Sequence, residues 1–168
     1  MTHVLLIEDD EIDRTTIAIV LRRAGISVFP AVDGRDGLRQ YGERKPDLVI
    51  TDIVMPNVEG IEVILSLRET DQEIPILAIS DGGSKGDVTL LLGMASKLGA
   101  TETLAKPFEP SDLLAAVDRC CAPGDAACAR SALDKARGRA IDVADNRRLA
   151  HTVQRHVAAS PHSEIIRR

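Results

Sequence analysis

Residues 1–121 alternate short continuous apolar runs, each ending in a charged or hydroxyl side chain, with longer segments whose apolar positions recur at helical spacing. The run His3 to Glu8 has the pattern of a strand buried on both faces. From Asp10 to Ala24 the positions Ile12, Thr16, Ile17, Ile19, Val20, Leu21 and Ala24 predict a helix, with Gly25 as its stop. Ser27 to Val32 predicts a second strand, which Pro30 directs towards a sheet edge. Asp33 caps a helix through Tyr41, marginal by propensity because of Gly34, Gly37 and Gly42. Leu48 to Asp52 is the third strand and Glu59 to Glu69 the third helix. Ile74 to Ser80 is the fourth strand, and a helix from about Asp87 to Leu98 is closed by Gly99. Leu90, Leu91, Leu92, Met94 and Leu98 of that helix read as core. Glu102 to Lys106 and Pro110 to Cys121 complete the set.

Five βα units at this spacing demand parallel strands with helices on both faces. The fold class expected is α/β: a flavodoxin-like, doubly wound parallel sheet of order 2-1-3-4-5 with five helices, followed by a helical or disordered tail. No G-x-G-x-x-G follows the first strand and no Walker A motif occurs, so nucleotide cofactors lose their main support.

In such a sheet, chemistry gathers outside the carboxyl ends of the strands. Those ends carry Glu8, Asp9 and Asp10, then Asp52, then Ser80, then Lys106. Carboxylates brought together repel unless a positive charge sits among them. A hard ion such as Mg2+, held by one or two carboxylates and waters, is the natural solution, with Lys106 as a second positive point. The constellation suits phosphoryl transfer: Asp52 as nucleophile, Lys106 and a metal on two phosphoryl oxygens, the Ser80 hydroxyl on the third. Each residue alone has a blander reading, as a helix-terminal acid, a turn residue, a strand end or a solvated lysine; only their coincidence at the central strand ends argues for a site.

Charge divides the chain. Residues 1–121 carry 12 Lys/Arg against 21 Asp/Glu, and residues 122–168 carry 9 against 5, so an acidic body is joined to a basic tail. An acidic body with no Trp, one Tyr and two Phe disfavours nucleic-acid binding by base stacking. Cys120, Cys121 and Cys128 form neither a disulfide framework nor a zinc site, which fits a reducing cytosol. One cysteine reads as buried and its neighbour as exposed, and His3, His151, His156 and His162 as solvent-exposed. Nothing in the amino-terminal residues resembles a secretion signal and no stretch is apolar enough to span a membrane. In the tail, Leu149, Val153 and Val157 fall at i, i+4 and i+8 among arginines, a pattern open to an amphipathic helix from about Ile141 to Ala159 that dimerises or docks, and equally to a disordered solvating segment.

The motifs Leu-Leu-Ile-Glu-Asp-Asp (residues 5–10), Asp-x-x-Met-Pro-x-x-x-Gly (52–60), Ser80 and Lys106-Pro107-Phe108 resemble, in order and spacing, the receiver domain of two-component response regulators. The resemblance covers residues 2–121, giving a receiver domain at 1–121 and a tail at 122–168. It implies Asp52 as phospho-acceptor from a histidine kinase or histidine phosphotransfer protein. It further implies Glu8 and Asp9 as the acidic pair with Asp9 a direct Mg2+ ligand, the Val54 main-chain carbonyl as another, Ser80 as switch hydroxyl and Lys106 as phosphate-binding ammonium. A cis Lys106-Pro107 bond is expected, as is a cytoplasmic signalling protein, not an enzyme acting on other substrates, with a downstream protein on the face of the fourth helix, fifth strand and fifth helix. The chain departs from the pattern at Thr103, where an aromatic switch residue is usual. Asn57 has no catalytic role here. Val54 and Gly82 lack polar side chains to position a hydrolytic water, so slow autodephosphorylation is expected. A haloacid-dehalogenase-type phosphatase is disfavoured because it needs a second aspartate where Val54 stands. A short transcription regulator acting through the basic tail is the other alternative, and would show salt-dependent DNA binding.

Overall fold

Alternation along each strand sorts the core into two layers, one on each face of a parallel sheet. In the computed structural model, which describes residues 2–56, 59–81 and 87–121, the strands are β1 (His3–Ile7), β2 (Ser27–Ala31), β3 (Leu48–Asp52), β4 (Ile76–Ser80) and β5 (Glu102–Ala105). The helices are α1 (Glu11–Arg23), α2 (Gly34–Arg44), α3 (Gly60–Thr70), α4 (Val88–Lys97) and α5 (Pro110–Cys120). The strand order is β2-β1-β3-β4-β5, all pairs parallel, so the expected flavodoxin-like topology is present. Pro30 lies in β2 at the edge, where its missing N–H disturbs no central ladder.

Val4, Leu6, Leu48, Ile50, Leu77 and Ile79 face α1 and α5, meeting Ile17, Leu21, Leu113 and Val117. Leu5, Ile7, Val49, Ile76 and Ala78 face the other way, onto Val63, Ile64 and Leu67 of α3 and Ala95 of α4. Both faces are covered, which is why these strands read as unbroken apolar runs. Asp10 and Asp33 are the N-caps of α1 and α2, their side chains accepting from Ile12 N and Asp13 N and from Asp36 N. The glycines expected to weaken α2 have a packing role at Gly37, where a Cβ would stand 2.3 Å from Ile7 Cδ1.

Three expectations need correction. Leu90 and Met94 are 62% and 42% exposed, and Ala95 is the buried residue of α4. The sequence of α4 is apolar nearly all round, so composition could not set its rotational phase. Both Cys120 and Cys121 are buried, and Cys121 is disulfide-bonded while Cys120 is a free thiol; an odd set of cysteines carries no pairing information. His3 is half-buried, stacked on Phe29 with ring centroids 5.7 Å apart. The tail helix and its partners, Asn57, Gly82, Cys128, His151, His156 and His162 lie outside the described residues. Among those residues no helix is long and apolar enough to cross a membrane.

Candidate functional site

Four strands of the sheet deliver polar groups to one end of it. Glu8 follows β1 and is buried, Asp52 closes β3 and is buried, Ser80 closes β4 and is fully buried, and Lys106 follows β5. The backbone N–H of Lys106 donates to Ser80 O at 2.8 Å, extending the β4–β5 ladder by one rung, and the Lys106-Pro107 peptide is cis, as expected. From that edge the lysine side chain reaches back across the strand ends. Its Nζ donates to Glu8 Oε2 at 2.7 Å, Asp52 Oδ2 at 2.7 Å and Asp13 Oδ2 at 2.9 Å. The other oxygen of Asp52, Oδ1, accepts the Val54 N–H at 2.9 Å.

The loop after β3 is held close by Gly60 at the start of α3. Its N–H donates to Ile53 O at 3.0 Å, and a Cβ there would come within 1.9 Å of the Asp52 carbonyl oxygen. A backbone approach of that kind admits only glycine, which gives the Asp-x-x-Met-Pro-x-x-x-Gly motif its physical meaning. Met55 is buried in the core on the α3 side and anchors the same loop. On the opposite wall Arg14 Nη1 donates to the carbonyls of Glu8 and Asp9 at 2.7 and 3.0 Å, pinning the turn that carries the acids.

The electrostatics follow from burial. Removal from water outweighs the attraction of Lys106 and lifts the Glu8 carboxyl to about 8, with Asp52 and Asp13 adding repulsion. Burial also raises the Asp9 carboxyl, helped by Asp52. Burial works against the Lys106 ammonium, but Glu8 and Asp52, through charge and hydrogen bonds, prevail and hold its pKa above the ordinary lysine value. One ammonium thus faces more negative charge than it can neutralise. Glu8, Asp9 and Asp52 each offer a carboxylate oxygen, and these oxygens lie within 4.8 Å of one another. An all-oxygen donor set with exposed Asp9 at its mouth, leaving room for waters, fits a hard divalent cation.

Of the residues singled out from the sequence, Glu8, Asp9, Asp52 and Lys106 converge, and Ser80 sits at the neighbouring strand end. Val54 is exposed beside Asp52. Asp10 does not join them: it caps α1, so the helix-terminal reading was right for this one member of the acidic run. Sequence reasoning missed Asp13 and Arg14. Both lie in the first turn of α1, but Asp9 precedes that helix, so no helical spacing ties Asp13 to the acids and no local signal marked it. Thr103 is half-buried in β5 opposite Ala78, on the face turned away from Leu104.

A family model described as the response regulator receiver domain matches residues 4–118. The chain is 37% identical over 109 residues, 65% of its length, to the transcriptional regulatory protein AfsQ1 of Streptomyces coelicolor, of which 46% is covered. It is 34% identical over 114 residues, 68% of its length, to the alkaline phosphatase synthesis transcriptional regulatory protein PhoP of Bacillus subtilis, of which 46% is covered. The chain therefore spans about half the length of these curated relatives. A third relative, the chemotaxis protein CheY of Thermotoga maritima, is 32% identical over 118 residues, 70% of this chain and 95% of that one. Among solved structures, chemotaxis protein CheY4 of Vibrio cholerae superposes with a TM-score of 0.65 at 30% identity, covering 71% of this chain and 98% of that one.

Proposed function

The chain belongs to the receiver domain family of two-component response regulators, and from that premise we propose that Asp52 is its phospho-acceptor, charged by a histidine kinase or a histidine phosphotransfer protein. The observation that carries this reading is the placement of Lys106 Nζ 2.7 Å from both Asp52 and Glu8, beside carboxylate oxygens of Glu8, Asp9 and Asp52 that share one small volume.

An Asp52 carboxylate oxygen attacks phosphorus, the O–P bond forms, and the P–N bond to the donor imidazole breaks, the imidazole leaving with its electron pair. Lys106 supplies positive charge where the equatorial oxygens gain negative charge, and the Ser80 hydroxyl donates to another of them. Glu8 and Asp9 would hold Mg2+, Asp9 directly, together with the Asp52 carboxylate and the Val54 main-chain carbonyl. When bound there, Mg2+ supplies the charge that lets a phosphoryl group enter a cleft already rich in carboxylates. The Val54 N–H bond to Asp52 Oδ1 fixes one oxygen, so the carboxylate is oriented before the donor arrives.

Receiver domains are signalling modules, not enzymes with turnover of external substrates. We assign residues 1–121 to that module and 122–168 to a basic tail, and place the protein in the cytoplasm. The downstream partner is a protein docking on the face of α4, β5 and α5, a reading supported by exposed Leu90 and Met94 on α4. The test is incubation of the whole chain with a small phosphodonor and Mg2+, followed by intact mass. Wild type gains one phosphoryl group and Asp52→Asn gains none; equal labelling of both overturns the reading.

A further inference from the structure

We propose that Asp13 is a positioning residue, the exchangeable counter-ion of Lys106: it occupies the third N–H of the ammonium in the resting site and yields it to a phosphoryl oxygen once Asp52 is modified. The inference rests on the reading of Asp52 as phospho-acceptor.

A lysine ammonium has three N–H donors, and each is taken by a different carboxylate: Glu8, Asp52 and Asp13. Lys106 therefore enters the reaction with no spare donor. The three acceptors are not equivalent. The side chains of Glu8 and Asp52 are 2% and 6% exposed at the strand ends, whereas that of Asp13 is 35% exposed on the first turn of α1. Water can replace Lys106 as the partner of Asp13 at little cost, but not as the partner of the other two. The backbone of Asp13 is fixed, its N–H donating to the capping carboxylate of Asp10 at 2.9 Å, so release needs only rotation of one side chain.

Phosphorylation sharpens the competition. A phosphoryl group brings three strong acceptor oxygens and new negative charge into a site where Asp13 is already repelled by its neighbours. The ammonium moves one bond from Asp13 to the phosphoryl group, and Asp13 turns to solvent. Asp13 thereby opposes the phosphorylated state by the strength of the ion pair that must be given up, while keeping the lysine poised over Asp52 beforehand.

The probe is beryllium trifluoride, a phosphoryl mimic, with Mg2+, its affinity for the whole chain measured by calorimetry for wild type, Asp13→Asn, Asp13→Glu, Lys106→Gln and the double variant Asp13→Asn/Lys106→Gln. Asp13→Asn is expected to bind the probe about two- to fivefold more tightly, the range of a partly exposed ion pair, and the gain is expected to vanish in the Lys106→Gln background. Unchanged or weaker binding by Asp13→Asn overturns the proposal, as does an equal gain without Lys106, which would make Asp13 a general source of repulsion. If Lys106→Gln binds no probe, Asp13→Glu decides: wild-type affinity supports the proposal, and affinity as high as that of Asp13→Asn overturns it. A wild type that binds no probe and accepts no phosphoryl group overturns the proposed function itself, whereas a wild type that does both with Asp13→Asn unchanged removes only the role of Asp13.

Discussion

At the amino-terminal end of the sheet, His3 Nδ1 lies 3.3 Å from Asp47 Oδ2, both side chains about half in water, with Arg44 4.8 Å above the Phe29 ring on which His3 rests. At the carboxyl-terminal end Lys106 is largely withdrawn from water between Glu8 and Asp52. The same strands build both ends, yet charge is placed in opposite ways. The exposed pair costs little to form and contributes little, because water screens it. The buried cluster must meet a desolvation penalty for every charge, and its carboxylates outnumber its cation. Apolar residues of the same volume would stabilise the fold more. A charge arrangement that packing does not ask for is best understood through the chemistry it enables.

Lys106→Met should separate the two ends most sharply. It leaves Glu8 and Asp52 buried without a cation, so unfolding in metal-free buffer is expected to cost about 3 kcal/mol less than for wild type, with Mg2+ restoring part of the difference in a denaturant titration. Gly60→Ala comes next: its Cβ meets the Asp52 carbonyl, and a loss of about 2 kcal/mol in the same titration is expected from the forced shift of backbone. Loss of phosphoryl transfer should accompany it, since the strain falls on Asp52 itself.

The third prediction concerns pH. The folded-state pKa of Glu8 lies above its unfolded value, at about 8 against 4.5. Its contribution is therefore intact below about pH 4.5 and is lost as pH rises through about 8. Metal-free wild type should lose stability across that window and Glu8→Gln should not; melting curves at several pH values check this, and identical slopes would contradict it. The smallest effect belongs to the other end. His3→Ala is expected to change stability by less than about 1 kcal/mol, with no effect on phosphorylation; a larger loss by calorimetry would mean that stacking on Phe29 matters more than the comparison allows.

Much of this architecture was legible in advance. Strands covered on both faces must be apolar throughout, so β1, β3 and β4 announced themselves, and acids placed directly after them marked the functional end. Asp33 as a cap and Pro30 at an edge were readable because each residue has one dominant local use. Leu90 and Met94 were misjudged for the converse reason: a helix apolar on nearly every side does not say which side faces the sheet. The part of Asp13 in the site was hidden because it depends on a partner 93 positions away.

The order of apolar runs and helical segments determined by itself that this chain is a doubly wound sheet and that Glu8, Asp9, Asp52, Ser80 and Lys106 lie at one end of it, since local periodicity and strand polarity need no distant partner. Only the tertiary structure decided how those groups meet. Two strands, β3 and β4, stand between β1 and β5, so nothing local brings Lys106 to Glu8; the strand order and the length of one lysine side chain do. The same geometry chose Asp13 over Asp10 as the third ligand of the ammonium, because the first turn of α1 directs one carboxylate to its own backbone and the other into the site.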